Sequence, residues 1–167
     1  MKPPPDAETL LSKVSLFAEF TADELKILLE LTDTVSLPAG SFIVRQDDLG
    51  DCMFVLMEGQ ARVRHRRKGR QFELAILEAG DFFGELALVD EGPRMADVIA
   101  ESDCVCLKAT QAVFRALAAV QPAAALKFFI AVARVVVGRM RRTNSRYIDS
   151  LVLVGRNRML MRDLIND

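Results

Sequence analysis

The chain has 167 residues, 51% hydrophobic and 27% charged, with a formal net charge of −1. That length supports one domain with a proper core, and the near-neutral balance excludes a general polyanion partner. The three cysteines, Cys52, Cys104 and Cys106, form no C-x-x-C metal or redox pair and read as reduced, buried thiols of a cytoplasmic protein.

The N-terminal MKPPPDAE lacks the apolar core of a signal peptide. Leu10, Leu11 and Val14 at helical spacing, with Phe17 closing the stripe, predict a helix over Ala7–Phe17. Thr21-Ala-Asp-Glu24 is a capping box, in which the hydroxyl takes the Glu24 amide and the carboxylate reaches back. The helix it starts turns Leu25, Leu28, Leu29 and Leu31 inward.

The period then shortens. Val35–Leu37, Phe42–Arg45, Met53–Glu58, Ala61–Arg67, Gln71–Leu77, Met95–Ala100 and Cys104–Lys108 are runs of strand length. Pro38-Ala39-Gly40, Gly59, Lys68-Gly69 and Glu78-Ala79-Gly80 punctuate them. Such spacing predicts a small β-roll or jelly-roll barrel. Arg62, Arg64, His65, Arg66, Arg67 and Lys68 make a basic hairpin, read as a solvated strand edge that discourages edge pairing. Phe42, Phe54, Phe72, Phe82 and Phe83 are assigned to the core. Past Ala109 the composition is helical again. Thr110 caps one helix through Leu117, and Pro122 opens a second that continues to about Leu164. The most apolar tract, Ala123–Gly138, is interrupted by Lys127 and Arg134, so it reads as a buried helix and not as a membrane span. Arg134–Arg162 carries eight arginines against Asp149 alone, read as a solvated helix face with no direct nucleic-acid contact expected.

The most informative stretch is Gly80–Val98, GDFFGELALVDEGPRMADV. It places one acid, Glu85, nine positions before one base, Arg94, in surroundings rich in apolar residues and glycine. A bare acid and base of this kind can simply pair with each other. They can also receive a ligand with a hydroxyl edge and an anionic edge, because arginine offers phosphate a planar fork of donors and a carboxylate accepts from a hydroxyl. Gly84 lets backbone approach closely, and Glu85–Leu88 is expected to form one helical turn whose free amides, Ala87 in particular, point at an anion.

Phe83-Gly-Glu-Leu-Ala followed by Pro93-Arg94-Met-Ala resembles the phosphate-binding cassette of the cyclic nucleotide-binding domain family, found in catabolite-activator-type proteins and protein kinase A regulatory subunits. The resemblance extends along nearly the whole chain. It implies an α+β fold: an N-terminal helical segment (1–32), an eight-stranded β-roll or jelly roll (33–109) holding the cassette (80–98), and long C-terminal helices (110–167). The implied ligand site comprises Phe83, Gly84, Glu85, Leu86, Ala87, Arg94, Met95 and Ala96. Arg94 would hold the phosphate, Glu85 the 2′-hydroxyl, and a Met95 or Ala96 amide would add a donor. Relatives that prefer cGMP often carry Thr or Ser where Met95 stands, which favours cAMP with cGMP as the lesser ligand.

By the same resemblance, a C-terminal helix covers the base. Arg139, Thr143 and Asn144 match the start of the catabolite-activator dimer helix, whose polar pair touches adenine. The other reading of these residues is a plain amphipathic helix with its polar side in water. Asp97 replaces the family's usual Thr or Asn and is expected to point outward at a strand end. Asp47-Asp48 stands where a glycine is common, and Asp tolerates such a turn. One histidine and no nucleophile–base pair argue against catalysis or a metal centre.

The expected function is therefore a non-catalytic cyclic nucleotide sensor. Its C-terminal helices would signal to a protein partner or a homodimer, and an apolar stripe of Leu151, Val152, Val154, Met159 and Leu160 is available for that contact. The alternative is the sensor fragment of a catabolite-activator-type transcription regulator, or of another multidomain protein, without its output domain.

Overall fold

The computed structural model describes residues 6–90 and 92–163, with side chains as far as Val152. Val154, Met159 and Leu160 of the tail stripe lie outside the described side chains. The chain divides into two compact units, Met1–Phe129 and Ile130–Asp167.

The first unit opens with helix α1 (Ala7–Leu11) and a separate 3₁₀ turn at Ser15–Phe17. The single helix expected over Ala7–Phe17 is thus broken. The Ser12 hydroxyl donates to the Thr9 carbonyl at 2.8 Å, and Val14 adopts an extended conformation. Local side-chain bonds of this kind compete with helix propagation. The apolar stripe survives the break, with Leu11, Val14, Leu16 and Phe17 all buried. Helix α2 (Ala22–Leu31) starts on the predicted capping box. The Glu24 amide donates to Thr21 Oγ1 at 3.3 Å, and the Thr21 amide donates to Glu24 Oε2 at 2.8 Å.

Eight strands follow: β1 (Asp33–Leu37), β2 (Phe42–Val44), β3 (Cys52–Glu58), β4 (Ala61–Arg67), β5 (Arg70–Leu77), β6 (Phe82–Phe83), β7 (Asp97–Ala100) and β8 (Cys104–Thr110). They form two antiparallel four-stranded sheets, ordered β1-β8-β3-β6 and β2-β7-β4-β5. The inner faces bury Cys52, Phe54, Leu56, Ala61, Phe83, Val98, Ala100, Cys104 and Cys106 against one another. Burial pushes the Cys106 thiol up to about 12, with Cys104 adding to the rise. The architecture is the expected α+β β-roll with flanking helices.

Two expectations about the sheets are corrected. The arginine-rich β4 is not an edge, because it pairs with β5 on one side and with β7 on the other. Its charges are matched across strands: Arg62 meets Glu73 at 3.1 Å and Glu101 at 2.7 Å. Phe72 is not core either. It lies on the exposed edge strand β5 and is 47% accessible, whereas Phe54 and Phe83 are buried and stack at 5.4 Å. Between β4 and β5, Lys68 (φ 50°) and Gly69 (φ 73°) are both left-handed, as a tight hairpin turn requires.

Helix α3 (Gln111–Val120) begins where Thr110 Oγ1 accepts from the Val113 amide, and α4 (Pro122–Asp163) begins on its proline. The start of α4 packs onto the N-terminal segment through Phe128, which stacks on Phe114 at 3.9 Å and on Phe17 at 6.0 Å. Lys127 Nζ donates to both oxygens of Glu24, at 2.9 and 2.8 Å. Burial raises the Glu24 carboxyl, but the bonds from Lys127 and the Thr21 amide outweigh it and leave the group below its usual range. The second unit is the continuation of α4 beyond Phe129. No described helix is long and apolar enough to cross a membrane.

Candidate functional site

The site is assembled from three short segments that the first sheet and its loops bring together. Strand β3 supplies Cys52 and, just before it, Gly50. The turn after β6 supplies Gly84 and Glu85, and the loop before β7 supplies Arg94. Gly84 is left-handed at φ 76° and caps a 3₁₀ turn at Glu85–Leu88. That conformation is open to glycine at little cost and strains other residues.

Arg94 lies against backbone. Its Nη1 donates to the Gly84 carbonyl at 3.3 Å, and its Nη2 donates to Cys52 Sγ at 3.4 Å. A Cβ on Gly50 would collide with the guanidinium, and one on Gly84 would stand 2.5 Å from Nη1. Both glycines therefore leave the room that the guanidinium occupies. Cys52 is buried and its thiol is raised by that burial, which Arg94 opposes, so it meets Arg94 as a neutral, weak acceptor. Glu85 is 1% accessible.

The remaining sequence-predicted residues divide into those near Arg94 and those elsewhere. Phe83 is buried beneath the turn, Ala87 is buried in it, and Leu86 is exposed. The Ala87 amide, expected to be free, donates to the Gly84 carbonyl at 3.1 Å and closes the turn. Met95 and Ala96 stand just before β7, and Met95 is 72% accessible. Arg139, Thr143 and Asn144 are exposed on α4 within the second unit.

Asp97 stands at a strand end on the side of Arg64 and Arg66, as expected, but these arginines cover it. It is fully buried at the start of β7, accepts from the Gln46 amide at 2.9 Å, and meets Arg66 Nε at 3.2 Å and Arg64 Nη2 at 3.5 Å. Gln46 in turn clamps Arg66, accepting from its amide at 2.7 Å and donating to its carbonyl at 3.1 Å. Loop 46–49 also grips the arginine segment directly. The Asp47 amide donates to the Arg94 carbonyl at 2.9 Å, and the Arg94 amide donates to the Asp48 carbonyl at 2.8 Å. Asp47 sits at φ 71°, the left-handed turn that its side chain tolerates.

Sequence reasoning missed Gly50, Cys52 and Gln111. Gln111 ties the turn to helix α3: its amide donates to the Asp51 carbonyl at 3.1 Å and its Nε2 to the Ala87 carbonyl at 3.1 Å. A cavity of about 430 Å³ adjoins the turn on this side, lined among others by Leu88, Val89, Phe114 and Phe129. It lies beside the arginine site rather than in it. No cluster of metal-ligating side chains occurs among the described residues.

A β-roll thus carries an arginine set among close glycines beside a capped 3₁₀ turn, and proteins of this build are known. Residues 34–121 match the family model described as the cyclic nucleotide-binding domain, and the chain belongs to that family. It is 39% identical over 94 residues to the cGMP-dependent protein kinase egl-4 of Caenorhabditis briggsae, covering 55% of this chain and 13% of that protein. It is 33% identical over 96 residues to the cAMP-dependent protein kinase regulatory subunit of Emericella nidulans, covering 58% of this chain and 23% of that protein. The chain thus spans less than a quarter of the length of these curated relatives. Among solved structures it resembles Thermus thermophilus catabolite activator protein, with a TM-score of 0.72, 27% identity, and coverage of 78% of this chain and 60% of that one.

Proposed function

We propose that this protein is a non-catalytic sensor that binds a cyclic nucleotide, cAMP in preference to cGMP, and reports occupancy through its C-terminal helices. The observation that carries the reading is the placement of Arg94. Its guanidinium lies among Gly50, Gly84 and Cys52, and the buried Glu85 follows Gly84 directly. Arg94 would take the phosphate and Glu85 the ribose 2′-hydroxyl. Phe83, Gly84 and Leu86 shape the turn, and a Met95 or Ala96 amide adds a donor. The Ala87 amide joins them on exchanging its bond to Gly84. Met95 offers no hydroxyl to a guanine amino group, which supports the preference for cAMP.

Calorimetric titration with cAMP and cGMP tests the reading. Arg94→Ala should lose about 2–5 kcal/mol of binding, roughly 30-fold to several thousand-fold in affinity. No heat and no thermal shift with either nucleotide in the wild type would sink it.

For the output, a homodimer through α4 has specific support. Ile130, Ala133, Val137, Met140, Asn144, Tyr147 and Leu151 follow one another at alternating spacings of three and four, and all are exposed. That is a heptad seam with β-branched residues and one Asn at the positions that favour parallel two-stranded coils. On this reading Asn144 faces a partner helix. On the other, Arg139, Thr143 and Asn144 cover the base. A catabolite-activator-type regulator whose output segment lies outside this sequence remains the second functional reading, supported by the likeness to that activator.

A further inference from the structure

His65, the one histidine of the chain, sits in the basic strand β4, outside the three segments that form the site. Strand β4 pairs with β7 as far as Arg64 opposite Asp97. Met95 and Ala96, which join Arg94 to β7, have left the ladder by then. Their link to β4 is a side chain, His65 Nδ1 donating to the Met95 carbonyl at 2.8 Å. A carbonyl can only accept, so the proton lies on Nδ1. Packing on the Met95 side chain does not hold this segment, because Met95 is exposed. Hydrogen bonds on its carbonyls do, from Asp47 to Arg94 and from His65 to Met95.

A trans peptide group is planar, so fixing the carbonyl of one residue aims the amide of the next in the opposite direction. Asp47 thereby aims the Met95 amide, and His65 aims the Ala96 amide. We infer that His65 is a positioning residue of the anion site, setting the direction of the Ala96 amide and holding Arg94–Ala96 in register with β4. The inference rests on the reading of this segment as a phosphate site.

The test is cAMP titration of the full chain as wild type, His65→Ala and His65→Asn, by calorimetry and by ¹⁵N amide spectra. His65→Ala should weaken cAMP by about 5- to 30-fold, the effect of one hydrogen bond at a charged ligand. Asn carries a donor near the place of Nδ1, so His65→Asn should stay within about threefold. The Ala96 amide resonance should move on cAMP addition in wild type and His65→Asn and fail to move in His65→Ala. Unliganded thermal midpoints of the three should agree within about 3 °C, roughly 1 kcal/mol, so that the loss is read in binding and not in folding. His65→Ala binding as tightly as wild type, or His65→Asn as weak as His65→Ala, overturns the inference alone. A wild type that takes no cyclic nucleotide overturns the phosphate reading and the inference with it.

Discussion

Asp97 on β7 lies directly across from Arg64 on β4, and its fully buried carboxylate is shared between Arg64 and Arg66. The carboxylate also accepts the Gln46 amide, so one side chain joins β4, β7 and the loop that grips Arg94. The residue that departs from the family pattern thus serves the outer side of the second sheet.

Removing that carboxylate should cost stability more than binding. The two arginines are 26% and 50% accessible and can turn to water, so the loss falls short of that for a sealed ion pair. Asp97→Ala should lower stability by about 1–3 kcal/mol in chemical denaturation, chiefly by orphaning the Gln46 amide. A double-mutant cycle with Arg66→Ala should return a coupling of about 0.5–1.5 kcal/mol. Zero coupling would dissolve the pair.

Gly50 and Gly84 make distinguishable predictions. At Gly50 the nearest atoms to an added methyl all belong to the Arg94 side chain, which can turn aside, so Gly50→Ala should leave thermal stability within about 1 kcal/mol of wild type. It should still weaken cyclic nucleotide binding by about tenfold or more, since the guanidinium is displaced. Gly84→Ala adds left-handed strain to the same clash and should cost about 1–2 kcal/mol of stability as well.

The Glu24–Lys127 pair predicts a pH dependence. The folded carboxyl lies below its unfolded value of about 4.3, so its contribution is complete above that pH and fades as acid protonates the folded group. Glu24→Gln should lower the melting temperature by roughly 3–10 °C at pH 7, from about 1–3 kcal/mol. The gap between mutant and wild type should narrow below about pH 4.3. A gap independent of pH would show that the charge is immaterial.

Asn144 separates the two readings of α4. In a coiled-coil seam, Asn144→Leu should tighten or change the oligomer seen by analytical ultracentrifugation and leave the ratio of cAMP to cGMP affinity as it was. If Asn144 covers the base, Asn144→Ala should weaken cAMP more than cGMP and leave the oligomer alone.

Features governed by neighbours in sequence were legible in the chain. Thr21 and Glu24 announced α2, Thr110 and Pro122 announced α3 and α4, and apolar runs between glycines gave most strands. Features governed by strand pairing were not. Nothing local in Arg62–Arg67 tells that Glu73, Asp97 and Glu101 will neutralise it, so an interior strand read as an edge. The two-residue β6 is too short for any periodicity, and its pairing with β3 defines it. At the site, Glu85 and Arg94 stood out through charge in an apolar run. Gly50 and Cys52 did not, because they contact Arg94 from 44 and 42 residues away.

The Gly84 carbonyl accepts from Arg94 Nη1 and from the Ala87 amide at once. The two donors proposed for the phosphate already share one acceptor inside the protein. On that reading, binding is a change of partner and not the filling of unmet demand. The favourable enthalpy would be a difference between two anion-like acceptors, one carrying a full charge and one a carbonyl dipole. The carbonyl set free would then require a new donor, making its peptide a natural first place for the cassette to move.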